Sequence, residues 1–235
     1  MTETTEGAGP PIAAERRPGD PVMRTVLHHR HAVLGATFER RGAWSVPSAY
    51  QSADSELGAL STELGFADVS ARGKVHLSGE VEGYIRSLTG AALEPLHTAP
   101  ATSGGMVARL ARNWALALLA PSAEAAVIRT LERQQTGGAM ATDVTGAHSG
   151  FLVAGPLLEA FLARTVNGDL SGLIPGRCLA TSWARIPAVL VARDLASPAV
   201  EIYVSSDHGR YAWEVLQRLA GIPVGWLALE SWGWN

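Results

Sequence analysis

The sequence predicts an α+β fold made of two pseudo-symmetric halves, each running strand–helix–strand–strand–helix. Two observations carry this. FADVSARGKVHLSGEVEGYI (Phe66–Ile85) is echoed by ATDVTGAHSGFLVAGPLLEAFL (Ala141–Leu162), with Asp68-Val69-Ser70 answered by Asp143-Val144-Thr145. Further on, WALALLAPSAEAAVIRTL (Trp114–Leu131) is echoed by VEIYVSSDHGRYAWEVLQRL (Val200–Leu219), each a strand, a polar break and a helix. Shared order and spacing point to a duplicated unit, with halves over about residues 66–136 and 141–220.

Taken in order, the first 22 residues are rich in Thr, Glu, Gly and Pro and lack an apolar signal core, which predicts a disordered leader and no secretory signal. The folded unit is expected over residues 23–235. In copy one KVHLSG reads as a short strand ending at Gly79, and in copy two GFLVAG as one ending at Gly155. Val81, Tyr84, Ile85 and Leu88 then recur at helical spacing, as do Leu157, Leu158, Phe161 and Leu162, with Glu80 and Pro156 suited to a first turn. GGMVARLA supplies the next strand of copy one, and CLATSWARIPAVLVARD supplies strands of copy two. Ser122, and Ser206 or Asp207, are the expected N-caps of the closing helices. Thr136–Met140 is the expected turn between the halves. Halves of this kind pack around a pseudo-twofold axis, and the cleft between them is a natural ligand site.

Composition excludes several classes. With 47% hydrophobic residues the chain can build a sizeable core, and a net charge of −3 gives no electrostatic footprint for nucleic acid. Apolar runs such as Trp114–Ala120 are far shorter than a bilayer span, so no membrane partner is expected. The single cysteine, Cys178, precludes an internal disulfide and suits a cytoplasmic protein with a buried, reduced thiol.

The stretch before the first copy carries His31, Leu34-Gly35-Ala36, Trp44, Pro47, Tyr50, Glu56 and the strand entry Gly65 through Ser70. These residues resemble the opening of the folate-binding glycine-cleavage T-protein (aminomethyltransferase) family, and the segment from Gly176 to Ser231 is similar to the gamma subunit of heterotetrameric sarcosine oxidase, a short relative. The resemblance runs from about Val26 to the end. It implies a tetrahydrofolate-binding fold used in one-carbon and glycine–sarcosine metabolism.

Departures from the family's pattern matter as much. The family's catalytic carboxylates precede a Val-x-Arg-Leu strand; here MVARL is preceded by Thr102-Ser103-Gly104-Gly105, so no catalytic residue is expected. The segment from Leu88 to Gly104 is short, and a strand is expected to be missing there. The family's arginine-bearing helix falls near Gly233, and its C-terminal barrel is expected to be absent. Glu201 in AVEIYVS matches a glutamate that, by the resemblance, holds the pterin; Arg193 matches a basic residue that could face the glutamate end of folate, the other reading being a solvated surface arginine. The resemblance thus implies tetrahydrofolate at Glu201 and Arg193. Two functions follow: an accessory, non-catalytic subunit similar to sarcosine oxidase gamma, partnered by oxidase or one-carbon subunits or by itself, or a minimal folate-dependent aminomethyltransferase or methyltransferase.

Other residues support no further chemistry. No acidic or thiol partner follows His28, His29 and His31 nearby in the sequence, so no metal is expected. No Gly-x-Ser-x-Gly elbow supports a nucleophile. Asp68 and Asp143 are expected to cap turns. Trp226, Leu229 and Trp232 share a helical face, and this group with Trp234 is expected either to pack on the chain's own core or, with Trp232 and Trp234 pointing outward, to sit at an oligomer contact.

Overall fold

A computed structural model of the chain describes residues 21–134 and 138–234. Residues 1–20 of the expected leader, and Thr136 and Gly137 of the expected turn, lie outside the described residues. An N-terminal ribbon comes first: β1 (Met23–Arg24), α1 (His28–Val33), β2 (Thr37–Arg41) and β3 (Trp44–Ala49), paired in the order β1-β3-β2. Helix α2 (Ala53–Thr62) follows, its N-terminus capped by Ser52, whose hydroxyl accepts from the Ser55 N–H at 3.3 Å. Strand β4 (Gly65–Asp68) then enters the body of the protein.

The first half continues with β5 (Gly73–Gly79), α3 (Glu82–Thr89), β6 (His97–Pro100), β7 (Met106–Ala111), β8 (Trp114–Leu119) and α4 (Glu124–Arg133). The second runs β9 (Ala139–Asp143), β10 (His148–Ala154), α5 (Leu158–Thr165), β11 (Cys178–Trp183), β12 (Ile186–Arg193), β13 (Ala199–Ser205) and α6 (Gly209–Leu219), and the short β14 (Ile222–Pro223) and α7 (Trp226–Ser231) close the chain. The two large sheets have matching orders: β6-β7-β8-β5-β9, and β11-β12-β13-β10-β4 with β14 added at the edge. A strand does occupy the Leu88–Gly104 segment, contrary to expectation: β6 pairs antiparallel with β7, and β11 is its counterpart. Sequence patterning missed β6 because a four-residue edge strand with two partly exposed polar residues has no apolar alternation to read.

The halves exchange their entering strands. β4 precedes β5 in sequence yet pairs with β10, whereas β9 precedes β10 yet pairs with β5. The repeated Asp-Val-Ser/Thr phrase makes each crossing. Asp68 accepts from the Ser70 N–H and Asp143 from the Thr145 N–H, at 2.9 and 2.8 Å. The Ser70 and Thr145 hydroxyls then accept from the Gly150 and Lys74 N–H groups of the opposite copies. The extra residue of the second copy is taken up in a 3-10 turn at Thr145–Ala147. Gly79 (φ +85°) and Gly155 (φ +138°) end the strands where the exchanged backbone passes so close that a Cβ would meet Gly138 O at 1.9 Å or Glu63 O at 2.3 Å.

Strand alternation sorts the core into layers. In β13, Val200, Ile202 and Val204 face α5 and α6 (Phe161, Leu162, Trp213, Leu216), whereas Tyr203 faces the other sheet. In β8, Ala115, Ala117 and Leu119 face α3 and α4, whereas Leu116 and Leu118 meet Tyr203, Val189 and Val191 across the inter-sheet layer. Helices therefore lie outside, and two sheets pack face to face between them. Among the described residues no helix is long and apolar enough to cross a membrane.

Two local expectations are corrected. Ser122 does not cap α4: it sits at φ +69°, and its hydroxyl accepts from the Ala43 N–H at 2.9 Å, tying the ribbon to the first half. Ser206 and Asp207 lie in a 3-10 turn ahead of α6, which has no side-chain cap.

Candidate functional site

One charged knot interrupts the inter-sheet layer. Glu201 is fully buried, on β13 two residues from Tyr203 and so on the same face of its strand. Its Oε1 accepts from Arg72 at 2.5 Å, from Arg193 at 2.7 Å and from the Trp234 indole N–H at 2.9 Å, and its Oε2 accepts from the Tyr203 hydroxyl. Burial alone would raise the Glu201 carboxyl, but the two guanidiniums outweigh it and hold the group below the ordinary carboxylate range. Burial, and then the Glu201 charge, push the Tyr203 phenol well up, so it stays a proton donor. Arg72 also lies 5.3 Å from the Trp234 ring centre. The structure thus brings the two expected site residues, Glu201 and Arg193, into one ion pair, and the Arg193 side chain is only 10% exposed rather than solvated. Arg72 was missed: it sits in the crossing loop SARGK, 129 residues from its partner. Tyr203 was legible in principle, since alternation puts it beside Glu201.

A cavity of about 320 Å³ opens against this knot, walled by Arg72, Trp234, Trp226, Gly104, Gly105 and Pro121, with the Arg41–Glu230 pair (2.7 Å) also in its lining. Three features that sequence reading held apart converge here: the Gly104 position that lacks a carboxylate, the Glu201 cluster, and the C-terminal segment. The C-terminal tryptophans are not an outward patch. Trp226, Leu229, Trp232 and Trp234 are 3%, 0%, 9% and 4% exposed and pack with Trp44, Val46, Leu60 and Leu152 of their own chain. The chain's own core satisfies them, because the ribbon and β10 supply the apolar surface that helical spacing alone could not assign.

A second buried network anchors the ribbon. Asp68 Oδ2 accepts from Thr25 at 2.9 Å and meets His31 Nε2 at 2.8 Å, while His31 Nδ1 and the Tyr50 hydroxyl are 2.8 Å apart. Burial would raise the Asp68 carboxyl, but the His31 contact outweighs it and holds it low. Asp68 therefore does more than cap its turn, whereas Asp143 has the turn bond alone among its described side-chain hydrogen bonds. Glu56 accepts from the backbone N–H groups of Tyr50, Gln51 and Gly225, which clamps the start of α2 to the C-terminal segment. Lys74 is also fully buried. It donates to the carbonyls of Ser70 (2.8 Å) and Arg72 (2.7 Å), and burial lowers its pKa to about 7. Cys178 is a buried free thiol pushed up to about 12 by burial, which makes it a poor nucleophile.

The model of the GCVT N-terminal domain matches residues 27–231. The crystal structure of glycine cleavage system aminomethyltransferase T from Bartonella henselae superposes with a TM-score of 0.77 at 17% identity, over 90% of this chain and 62% of that one. A chain of the heterotetrameric sarcosine oxidase from Corynebacterium sp. U-96 gives a TM-score of 0.59 at 18% identity, over 72% of this chain and 90% of that one. At these identities the likeness is one of fold. A probable aminomethyltransferase of Aeropyrum pernix is 42% identical over 60 residues, which are 26% of this chain and 16% of that protein. The chain thus spans less than two thirds of the length of each of these two aminomethyltransferases. The exchanged strands, the paired sheets and a family match running from the ribbon to α7 agree: this chain belongs to the GCVT N-terminal domain family.

Proposed function

We propose that this chain is an accessory, non-catalytic subunit built on the tetrahydrofolate-binding T-protein fold, working in the cytoplasm with the other subunits of an amine-oxidising or one-carbon complex. The observation that carries this reading is the wall of the 320 Å³ cavity, where Gly104 and Gly105 offer no carboxylate for proton transfer and where, by the resemblance, Ser103 and Gly104 replace the family's carboxylates. The Glu201 carboxylate supports it as well. A pterin needs a free pair of acceptor oxygens, and those of Glu201 already take Arg72, Arg193, Tyr203 and Trp234, so the residues as arranged do not fit the pterin. Tetrahydrofolate at Glu201 and Arg193 would require these bonds to be given up. The similarity to a sarcosine oxidase chain covered over 90% of its length supports the subunit role.

The second reading, a minimal folate-dependent aminomethyltransferase, is favoured by the 42% identity to the Aeropyrum pernix protein. One assay separates the two. The isolated chain, given tetrahydrofolate and an aminomethyl-loaded lipoyl carrier, is expected to turn over at least about 10²-fold more slowly than a T-protein that has its acid. Turnover at T-protein rates would overturn the accessory reading and establish the other.

A further inference from the structure

The hairpin joining β11 to β12 turns in two residues, Ala184 and Arg185, and both are left-handed, at φ +47° and +69°. A turn of this kind ordinarily uses Asn-Gly or Gly-Gly, because a Cβ crowds the backbone at positive φ. The corresponding connection of the first half, between β6 and β7, does meet its left-handed positions with glycines, Gly104 (φ +88°) and Gly105 (φ +85°). In the second half the strained conformation is instead held from both sides. The Ala184 N–H donates to the Thr165 carbonyl at the end of α5 (2.6 Å), and the Ala184 carbonyl accepts from the Tyr211 hydroxyl of α6 (2.9 Å). The first of these bonds fixes the chain at Arg164 next to the chain at Arg185, since each arginine adjoins one of its ends. Both arginines line a cavity of about 410 Å³ between the hairpin, α5 and α6.

We propose that this cavity is an anion site for a small phosphate monoester. Backbone strain of this sort persists where the surrounding structure over-determines it, and here what it delivers is a guanidinium. Among the described residues, the lining side chains of Arg164, Arg185, Asn167 and Ser182 have no hydrogen-bond or ion-pair partner within the chain. No lining residue is acidic. The carboxylates within two residues of the lining in sequence are engaged elsewhere: Asp169 accepts from the Ser171 N–H and hydroxyl, and Glu214 pairs with Arg30 and Arg210. Two uncompensated guanidiniums match a doubly charged group, and their planar forks fit phosphate oxygens two at a time. A monocarboxylate leaves one of them unmatched. The Asn167 amide and the Ser182 hydroxyl add neutral donors, while the Tyr211 ring, Val215 and Leu219 form a short apolar wall for the ester group. The cavity is separate from the one beside Glu201, so this inference does not depend on tetrahydrofolate.

The probe is phenyl phosphate, titrated against the full chain by calorimetry and ligand-observed NMR, with benzoate and succinate as anions of other chemistry. Phenyl phosphate is expected to bind with a Kd of about 1 mM or tighter, and benzoate and succinate about tenfold or more weakly. Arg185→Gly removes the guanidinium and also relaxes the turn, so binding should fall by about tenfold or more while the melting temperature holds or rises. Arg164→Ala should weaken binding to a similar degree. Arg129→Ala, at an exposed arginine of α4 in the other half, should leave it unchanged. Failure of the wild-type chain to bind phenyl phosphate, equal or tighter binding of benzoate or succinate, affinity kept in both Arg185→Gly and Arg164→Ala, or a matching loss in Arg129→Ala would each overturn the proposal. Capture of the chain by phosphatidic acid vesicles without binding of the soluble ester would overturn it too, and would assign the two arginines to a lipid headgroup.

Discussion

Replacing Glu201 by Gln removes one negative charge and keeps the side chain's shape. Two guanidiniums depend on that charge: Arg72, whose side chain is 3% exposed, and Arg193, 10% exposed. The amide can still accept from Tyr203 or Trp234, but it also brings an NH₂ group among donors that need acceptors. Removing one partner of a buried ion pair costs about 3–5 kcal/mol, because the other charge stays desolvated and unpaired. With two cations affected, the upper part of that range is expected, a large fraction of the roughly 5–15 kcal/mol that stabilises a domain. For a chain of this size the melting temperature should fall by about 10–20 °C. Urea unfolding of the wild type, Glu201→Gln, Arg72→Met and the double variant Arg72→Met/Glu201→Leu would measure it. The double variant should be more stable than Glu201→Gln, since it removes a desolvated charge along with its partner. A loss below about 1 kcal/mol for Glu201→Gln would refute the buried-knot account.

Further predictions follow from the same layer. Because burial holds Lys74 near pH 7 while the unfolded lysine titrates at 10.5, the unfolded chain binds the extra proton between these values. Stability should therefore rise with pH across that window, by at most about 5 kcal/mol, and Lys74→Met should flatten the rise in urea midpoints measured from pH 7 to 10. Asp68 and Glu201 have depressed carboxyl values, so their stabilisation is complete above the ordinary carboxylate range and is lost as pH falls through their folded values; Asp68→Asn should blunt acid unfolding followed by circular dichroism. Trp234→Ala should cost about 3–5 kcal/mol in stability yet leave the light-scattering mass unchanged, because the indole packs on its own chain; a change of mass without loss of stability would contradict this.

The sequence by itself determined the elements and their duplication. Period-2 alternation in AVEIYVS, helical spacing in EVEGYIRSL and the recurring Asp-Val-Ser/Thr phrase are local signals, readable without contacts. The absent carboxylate at Ser103-Gly104 was equally visible. Tertiary structure alone decided what these parts meet. That β4 and β9 exchange sheets depends on backbone pairing between segments whose patterns suit either partner equally. That Glu201 is held by Arg72, Arg193, Tyr203 and Trp234 depends on a loop, two strands and the chain's end converging on one low-dielectric layer. No spacing rule links residues 33 or 129 positions apart, and whether an arginine is solvated or desolvated depends on what packs over it. The tryptophans mark the same boundary: their helical face was legible, but the surface burying it is built from the ribbon and β10, which only the folded chain brings together.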